Sequence, residues 1–434
     1  MNKFITMSIL FSIMIMLGCE KDPTIITKTE FITETVTVEV PGPTVVVPGE
    51  TQIVEVPGAN VSVPYPPAEY EFTRNGVSTV YYSGQTTRLN QHDELKSAMN
   101  STSSTKAGIL AMLNDGTGFS DSTLDGSKKI GNKTAVNSAN SATNKSIIES
   151  WITEFIDVVA PAVIAQTDAS AGVAGSVSDA GGGSRTGTKV NAKGLEMNQV
   201  FSKGLIGAFN LDQIINENGS FGYVTGPKLN PVAVDNDAGV MHYTSPGASE
   251  ANVTKMEHYW DEGFGYLYGQ DNQYAPALGQ GGLLNDYLGN VSANYAIGIA
   301  DDIYNAFKLG RAAIVGKDYV TRDAQAAIIK TELSKVVGAK AASYLRSGAG
   351  HVTNNNMASA FHSLSEGYGF IFSLQFTQKA DGSPYMTNSE VNSTLAELDA
   401  GNGLWDRTAA ELTAMADTID AATGITVSYT HLRA

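Results

Sequence analysis

Two segments far apart in the chain, each eleven residues long, carry the same pattern of chemically active side chains. The first runs from His258 through Glu262, Gly263, Phe264, Gly265 and Tyr266 to Tyr268. The second runs from His362 through Glu366, Gly367, Tyr368, Gly369 and Phe370 to Phe372. Both read His-x-x-x-Glu-Gly-aromatic-Gly-aromatic-x-aromatic. Residues four apart share one face of a helix, so each histidine lies one turn from its glutamate. A neutral imidazole and a carboxylate at that spacing can ligate a metal such as zinc or iron, with three or four protein groups expected in all. If the two helices converge, His258, Glu262, His362 and Glu366 form a His2Glu2 set of the kind built inside helical bundles. Asp261 offers a further oxygen, although the second segment has Ser365 there. The alternative is structural: each histidine bonds its glutamate and locks a helix.

The glycines sharpen the question. A glycine inside a helix costs about 1 kcal/mol relative to alanine. Gly263 and Gly265, like Gly367 and Gly369, therefore imply a close approach to the backbone by a crossing helix or a bound group. The aromatic residues beside them read as core packing. Asp301, Asp302 and Arg311 read as a solvated or internally paired helix face, and Glu196 and Gln199 could reach a central site. The chain has no Gly-x-Ser-x-Gly, no His-Glu-x-x-His and no phosphate loop, so its motifs give no positive argument for an enzyme.

The 434 residues are 42% hydrophobic and 17% charged, a globular composition, with a net charge of −16. That charge, without a Lys/Arg block, argues against a nucleic-acid partner. The single cysteine, Cys19, follows Lys3, an apolar run over residues 4–17 and Gly18. This reads as a lipoprotein signal peptide over residues 1–18, with Cys19 lipidated and the chain held to the membrane by that lipid. Glu20-Lys21-Asp22 resembles a surface-export signal of Bacteroidota lipoproteins. An outer-membrane lipoprotein, periplasmic or cell-surface exposed, is the expected location. Residues 427–434 read as a translated sequencing adaptor and are left out of the fold argument.

Residues 19–67, rich in Thr, Val and Pro with recurring Val-Pro-Gly, predict an extended stalk or a small β-repeat. Asn75-Gly76 within residues 70–82 predicts a hairpin turn. Helical periodicity follows over residues 93–113, 145–166 (ended or kinked by Pro161), 194–218, 254–269 and 283–315, the last as one helix or two. It continues over residues 322–345, 355–379, 389–401 and 404–422. The Gly/Ser/Ala-rich stretch 168–188 predicts a mobile loop. The fold class expected over residues 68–426 is all-α: two pseudo-repeated helical bundles behind a short N-terminal β-hairpin and a stalk.

Several of these residues together resemble DUF4856, an uncharacterised family of Bacteroidota lipoproteins. They are Tyr70-Glu71-Phe72, Tyr82-Ser83-Gly84-Gln85, Gly194-Leu195-Glu196 with Gln199, Lys203 to Ala208, and the segment from His258 to Gly265. More distantly the chain is similar to imelysin-like proteins, whose paired helical bundles carry a Gly-x-His-x-x-Glu motif. That similarity implies metal binding, iron above all, in the service of uptake, and an old peptidase label. Here Asp261 holds the acidic position of that motif, Ser365 replaces it in the second segment, and Met256 stands where the motif has glycine. The resulting expectation is a lipid-anchored envelope protein that binds iron or zinc. The other reading is a non-catalytic scaffold, or a glycan- or partner-binding lipoprotein, with structural His-Glu pairs.

Overall fold

The computed structural model describes residues 67–242, 252–271 and 275–425, and, by backbone alone, the strands Gln52–Val56 and Ala59–Tyr65. Cys19, the signal segment, most of the stalk and residues 427–434 lie outside the described residues. Those two strands (β1 and β2) pair antiparallel, so the chain doubles back as a hairpin over residues 52–65. A second hairpin, β3 (Thr73–Arg74) and β4 (Val77–Ser78), turns at Asn75 and Gly76. Both turn residues have positive φ, 55° and 76°, which asparagine and glycine tolerate best.

Among the described residues after it, the regular elements are helices apart from one further hairpin, β5 (Gly175–Val177) with β6 (Thr188–Val190). The long helices are α1 (Ser83–Ala98), α2 (Ser141–Glu154), α3 (Met197–Leu205), α4 (Lys255–Tyr268), α5 (Leu284–Asn294), α6 (Ile299–Gly316), α7 (Tyr319–Thr353), α8 (Met357–Ser373), α9 (Asn388–Leu398) and α10 (Ala409–Thr423). Their starts follow the local sequence. Thr254, Thr387 and Thr408 each form a capping box with the glutamate three residues on, and Asp318 caps α7 through the Thr321 amide.

α7 is the axis of the fold. Its 35 residues span about 52 Å at 1.5 Å per residue, and α6, α8 and α10 all pack along it. Lys317, at φ 61°, ends α6 in the left-handed conformation and turns the chain into α7. The buried apolar side chains form one continuous cluster from Tyr70 to Ile425, and both signature helices, α4 and α8, run through it.

Some expectations change. Residues 93–113 hold the end of α1 and a separate short helix, Lys106–Leu110. Residues 283–315 hold two helices, α5 and α6, the second of the two expected arrangements. Pro161 does not end its helix: α2 widens into a π-helical turn at Phe155–Val159 and continues through Ala160–Ile164. A π turn immediately ahead accommodates a residue without an N–H. The stretch 168–188 is tied down rather than free. Asp179 accepts from the Ser359 amide and hydroxyl in the first turn of α8, and the Gly183 amide donates to Asn356.

Candidate functional site

The signature on α4 sits where that helix meets α1 and the segments around Lys133 and Lys228. His258 Nε2 lies 3.7 Å from Glu262 Oε2. Burial pushes the His258 imidazole down to about 4, helped by the Arg311 charge, so it is neutral near pH 7 and this approach is not an ion pair. Its Nδ1 is buried without a hydrogen-bond partner. The rings of His242, at 4.9 Å, and Tyr81, at 6.2 Å, lie beside it. Glu262 accepts from Gln85 Nε2 at 2.7 Å. Burial raises its carboxyl, while Gln85, Lys133, Lys228 and Arg88 pull it back.

Asp261 faces away from this pair. Its Oδ1 accepts from Tyr70 Oη at 2.6 Å and from Arg311 Nε at 2.9 Å, all three side chains being fully buried. Arg311 also donates to Glu257 at 3.0 Å and to the Thr79 hydroxyl, and Arg74 closes the network on Glu257 at 2.9 Å. The Arg311 and Arg74 charges hold Glu257 down to about 2 against the effect of burial. Burial raises Asp261. Asp261 is thus a structural counter-ion rather than a neighbour of His258. Arg311 is internally paired, while Asp301 and Asp302 are exposed.

On α8 the local geometry repeats. His362 Nε2 is 3.7 Å from Glu366 Oε2, and His362 Nδ1 lies 2.6 Å from Glu196. Glu366 meets the buried ammonium of Lys203 at 3.3 Å. Lys203 also sits over the Tyr287 ring, and Lys340 over the Tyr344 ring at 4.3 Å. Burial lowers both lysines, Lys340 to about 8, although Glu366 favours their charged forms.

The glycines explain why the two segments match. A Cβ on Gly369 would lie 2.6 Å from Lys203 Cβ, 2.8 Å from Val200 O and 2.9 Å from Gly204 N, so α3 crosses α8 backbone to backbone. On Gly265 it would strike Tyr82, and on Gly263 it would meet Val224 at 2.7 Å. At Gly369 the visitor is a crossing helix, one of the two sequence alternatives; at Gly265 and Gly263 it is the side chains of Tyr82 and Val224, and Gly367 meets nothing closer than Tyr344 Cβ at 3.3 Å. Trp260 fills the space over Gly310 of α6, and Leu364, its counterpart in the second segment, fills the space over Gly348 of α7.

These surroundings suit a metal poorly. The two pairs engage different side chains, the first Gln85, Lys133 and Lys228, the second Glu196, Lys203 and Lys340. Glu196 and Glu366 stand at different ring nitrogens of His362, which point apart and cannot address one ion. A cation beside either glutamate would also be repelled by lysines. Among the described residues, no cluster of three or more His, Cys, Asp or Glu is arranged to hold a metal ion. Glu196 lies against His362; the lysines facing each glutamate gave no sequence signal, because they come from remote segments.

A polar cleft of about 420 Å³ opens between α1 (Asp93, Lys96), Asn100 in the turn after it, the start of α3 (Asn198, Gln199) and Gly282. No described helix is long and apolar enough to cross a membrane. In comparison with known proteins, a family model described as "Domain of unknown function (DUF4856)" matches residues 67–426. No curated protein and no solved structure matches.

Proposed function

We propose, on the premise that the chain belongs to the DUF4856 family, that it is a non-catalytic, partner-binding lipoprotein of the cell envelope whose His-Glu pairs lock its helices. The observation that carries this reading is that each signature glutamate is already matched, Glu366 by Lys203 at 3.3 Å and Glu262 by Gln85 at 2.7 Å. A carboxylate satisfied in this way stabilises packing and has little left for an incoming ion. Cys19 is the lipid attachment point and the membrane contact, in a Bacteroidota outer-membrane setting with the periplasmic or outer face open. The shared placement of Trp260 over Gly310 and Leu364 over Gly348 supports a remote, imelysin-like duplication of a helix pair. The order is reversed between copies: α4 precedes its partner α6, whereas α8 follows its partner α7.

A double-mutant cycle on Glu196→Gln and His362→Gln tests the lock. Contacting residues of this kind couple by about 0.5–3 kcal/mol in unfolding free energy. Additive effects would sink the structural role of the His362–Glu196 contact.

A second reading, capture of iron or zinc for uptake, is favoured by one observation: the unpartnered Nδ1 of His258 beside the His242 ring. It would draw on His258, His242 and Glu262 as donors, and titration with Fe and Zn tests it.

A further inference from the structure

The polar cleft between α1 and the start of α3 takes no part in the His-Glu contacts, and one of its walls is firmly built. Gln270 donates to Asn90 Oδ1 at 3.0 Å and to Asp93 Oδ2 at 2.8 Å. Gly281 lies against the Gln270 amide, closer than any Cβ could stand, and a Cβ on Gly282 would meet Asp93 Oδ1 at 3.1 Å. The two glycines therefore bring bare backbone to the cleft. Its volume of about 420 Å³ falls in the range of small-molecule sites, about 300–1,000 Å³.

Two side chains in the first turn of α3 line this space without partners. Asn198 and Gln199 are each only 7% exposed, yet neither carboxamide makes a hydrogen bond among the described residues. Buried carboxamides are ordinarily bonded, and leaving them unmet is unfavourable. Gln199 Oε1 is enclosed, so the amide nitrogen is the edge that Gln199 turns to the cleft, whereas neither end of the Asn198 amide is enclosed. Each group is left to a ligand that can both donate and accept.

The rest of the lining narrows the ligand class. Asp93 brings one negative charge and Lys96 one positive, and Ser97 and Asn100 are neutral. Lys96 is half-buried and has no ion-pair partner among the described residues. No apolar side chain among the described residues lines the cleft, so a greasy ligand gains nothing there. A ligand with net charge meets a like charge at Asp93 or Lys96. A zwitterion would answer those two charges and leave the carboxamides unmet. An uncharged, hydroxyl-rich ligand answers all four, because each hydroxyl donates to a carboxylate or amide oxygen and accepts from an NH2 or ammonium.

We propose that this cleft binds a saccharide of one or two rings, its hydroxyls held by Asn198, Gln199, Asp93 and Lys96. The site goes beyond the helix-locking reading and does not use the Glu196–His362 contact. Its failure would leave the coupling measured there unchanged.

Calorimetry on the full chain in a sugar-free detergent tests it. The probes are glucose, galactose, N-acetylglucosamine, maltose and cellobiose, beside serine, succinate and putrescine. At least one sugar is expected to bind with a Kd of about 1 mM or tighter, and more tightly than every charged probe. Raising the salt tenfold should change that affinity by less than about twofold, since the ligand carries no charge to screen. Asn198→Leu with Gln199→Leu should weaken the same sugar at least about tenfold while the circular dichroism spectrum stays unchanged. Lys96→Met removes a half-buried side chain that holds no other group, so it leaves the fold alone, and should weaken the sugar at least about threefold. Lys335→Met, on α7 and outside the cleft, is the control and should bind as the parent does. No binding by any of the sugars, tighter binding of serine, succinate or putrescine, or sugar affinity untouched by Lys96→Met and by the carboxamide variant would each overturn the proposal.

Discussion

Gly367 and Gly369 stand two residues apart on α8, yet alanine should have opposite effects at the two positions. At Gly369 the new methyl would come within 2.6 Å of Lys203 Cβ and 2.8–2.9 Å of two α3 backbone atoms. Carbon atoms pack at about 3.5–4.0 Å, so α3 and α8 would have to separate by roughly 1 Å. Overpacking of that kind costs about 1–3 kcal/mol, and because the obstacle includes backbone the upper half of that range applies. The helix-propensity gain of about 1 kcal/mol offsets part of it, leaving a net loss of about 1–2 kcal/mol. At Gly367 the nearest atom is Tyr344 Cβ at 3.3 Å, which needs to yield only a few tenths of an ångström. There the propensity gain should decide, giving a variant neutral or up to about 1 kcal/mol more stable. Urea unfolding followed by circular dichroism measures both, with the midpoints compared at an unchanged slope. A Gly369→Ala protein as stable as the parent, or less destabilised than Gly367→Ala, would refute the close helix crossing.

Two further outcomes follow from the buried charges. Arg311→Met leaves Glu257 and Asp261 buried without their shared cation, and should cost about 3–5 kcal/mol in the same unfolding assay; a loss below about 1 kcal/mol would contradict the network. His258 has a folded-state value of about 4 against the ordinary 6.5, so the unfolded chain takes up its proton first as pH falls. The His258 contribution is then full above about pH 6.5 and is lost towards pH 4, by about 3 kcal/mol at most. The difference in stability between the parent and His258→Gln should therefore change by that amount between pH 6.5 and 4, while the loss below pH 4.5 from Glu257, which is held down to about 2, is common to both; a difference that is constant between pH 4 and 6.5 would be the contrary result.

How much of this was legible depended on distance along the chain. Local chemistry read well: Asn75-Gly76 made the expected turn, and the spacing of α4 and α8 put each histidine one turn from its glutamate. Gly263, Gly265 and Gly369 do mark close approaches, whereas Gly367 does not, and nothing in their spacing named Tyr82, Val224 or α3 as the visitor. Long-range partners were out of reach. Lys203 meets Glu366, and Glu196 meets His362, across stretches that no helical periodicity relates. Asp261 illustrates the risk of reading ligands from one helix alone: its neighbours in sequence suggested metal chemistry, and its neighbours in space, Arg311 and Tyr70, make it a counter-ion. Loop composition misled in the same way at residues 168–188, where Asp179 finds the first turn of α8 and fixes a glycine-rich segment.

The central claim is that Glu262, Glu366 and His362 hold neighbouring helices and segments together rather than a metal. Elemental analysis and Fe and Zn titration of the protein, beside a His258→Ala, His362→Ala double variant, test it most directly. The account predicts no stoichiometric metal in either protein and a double variant that is folded but less stable. Stoichiometric iron or zinc in the parent, lost from a still-folded variant, would contradict it and make metal capture the working function.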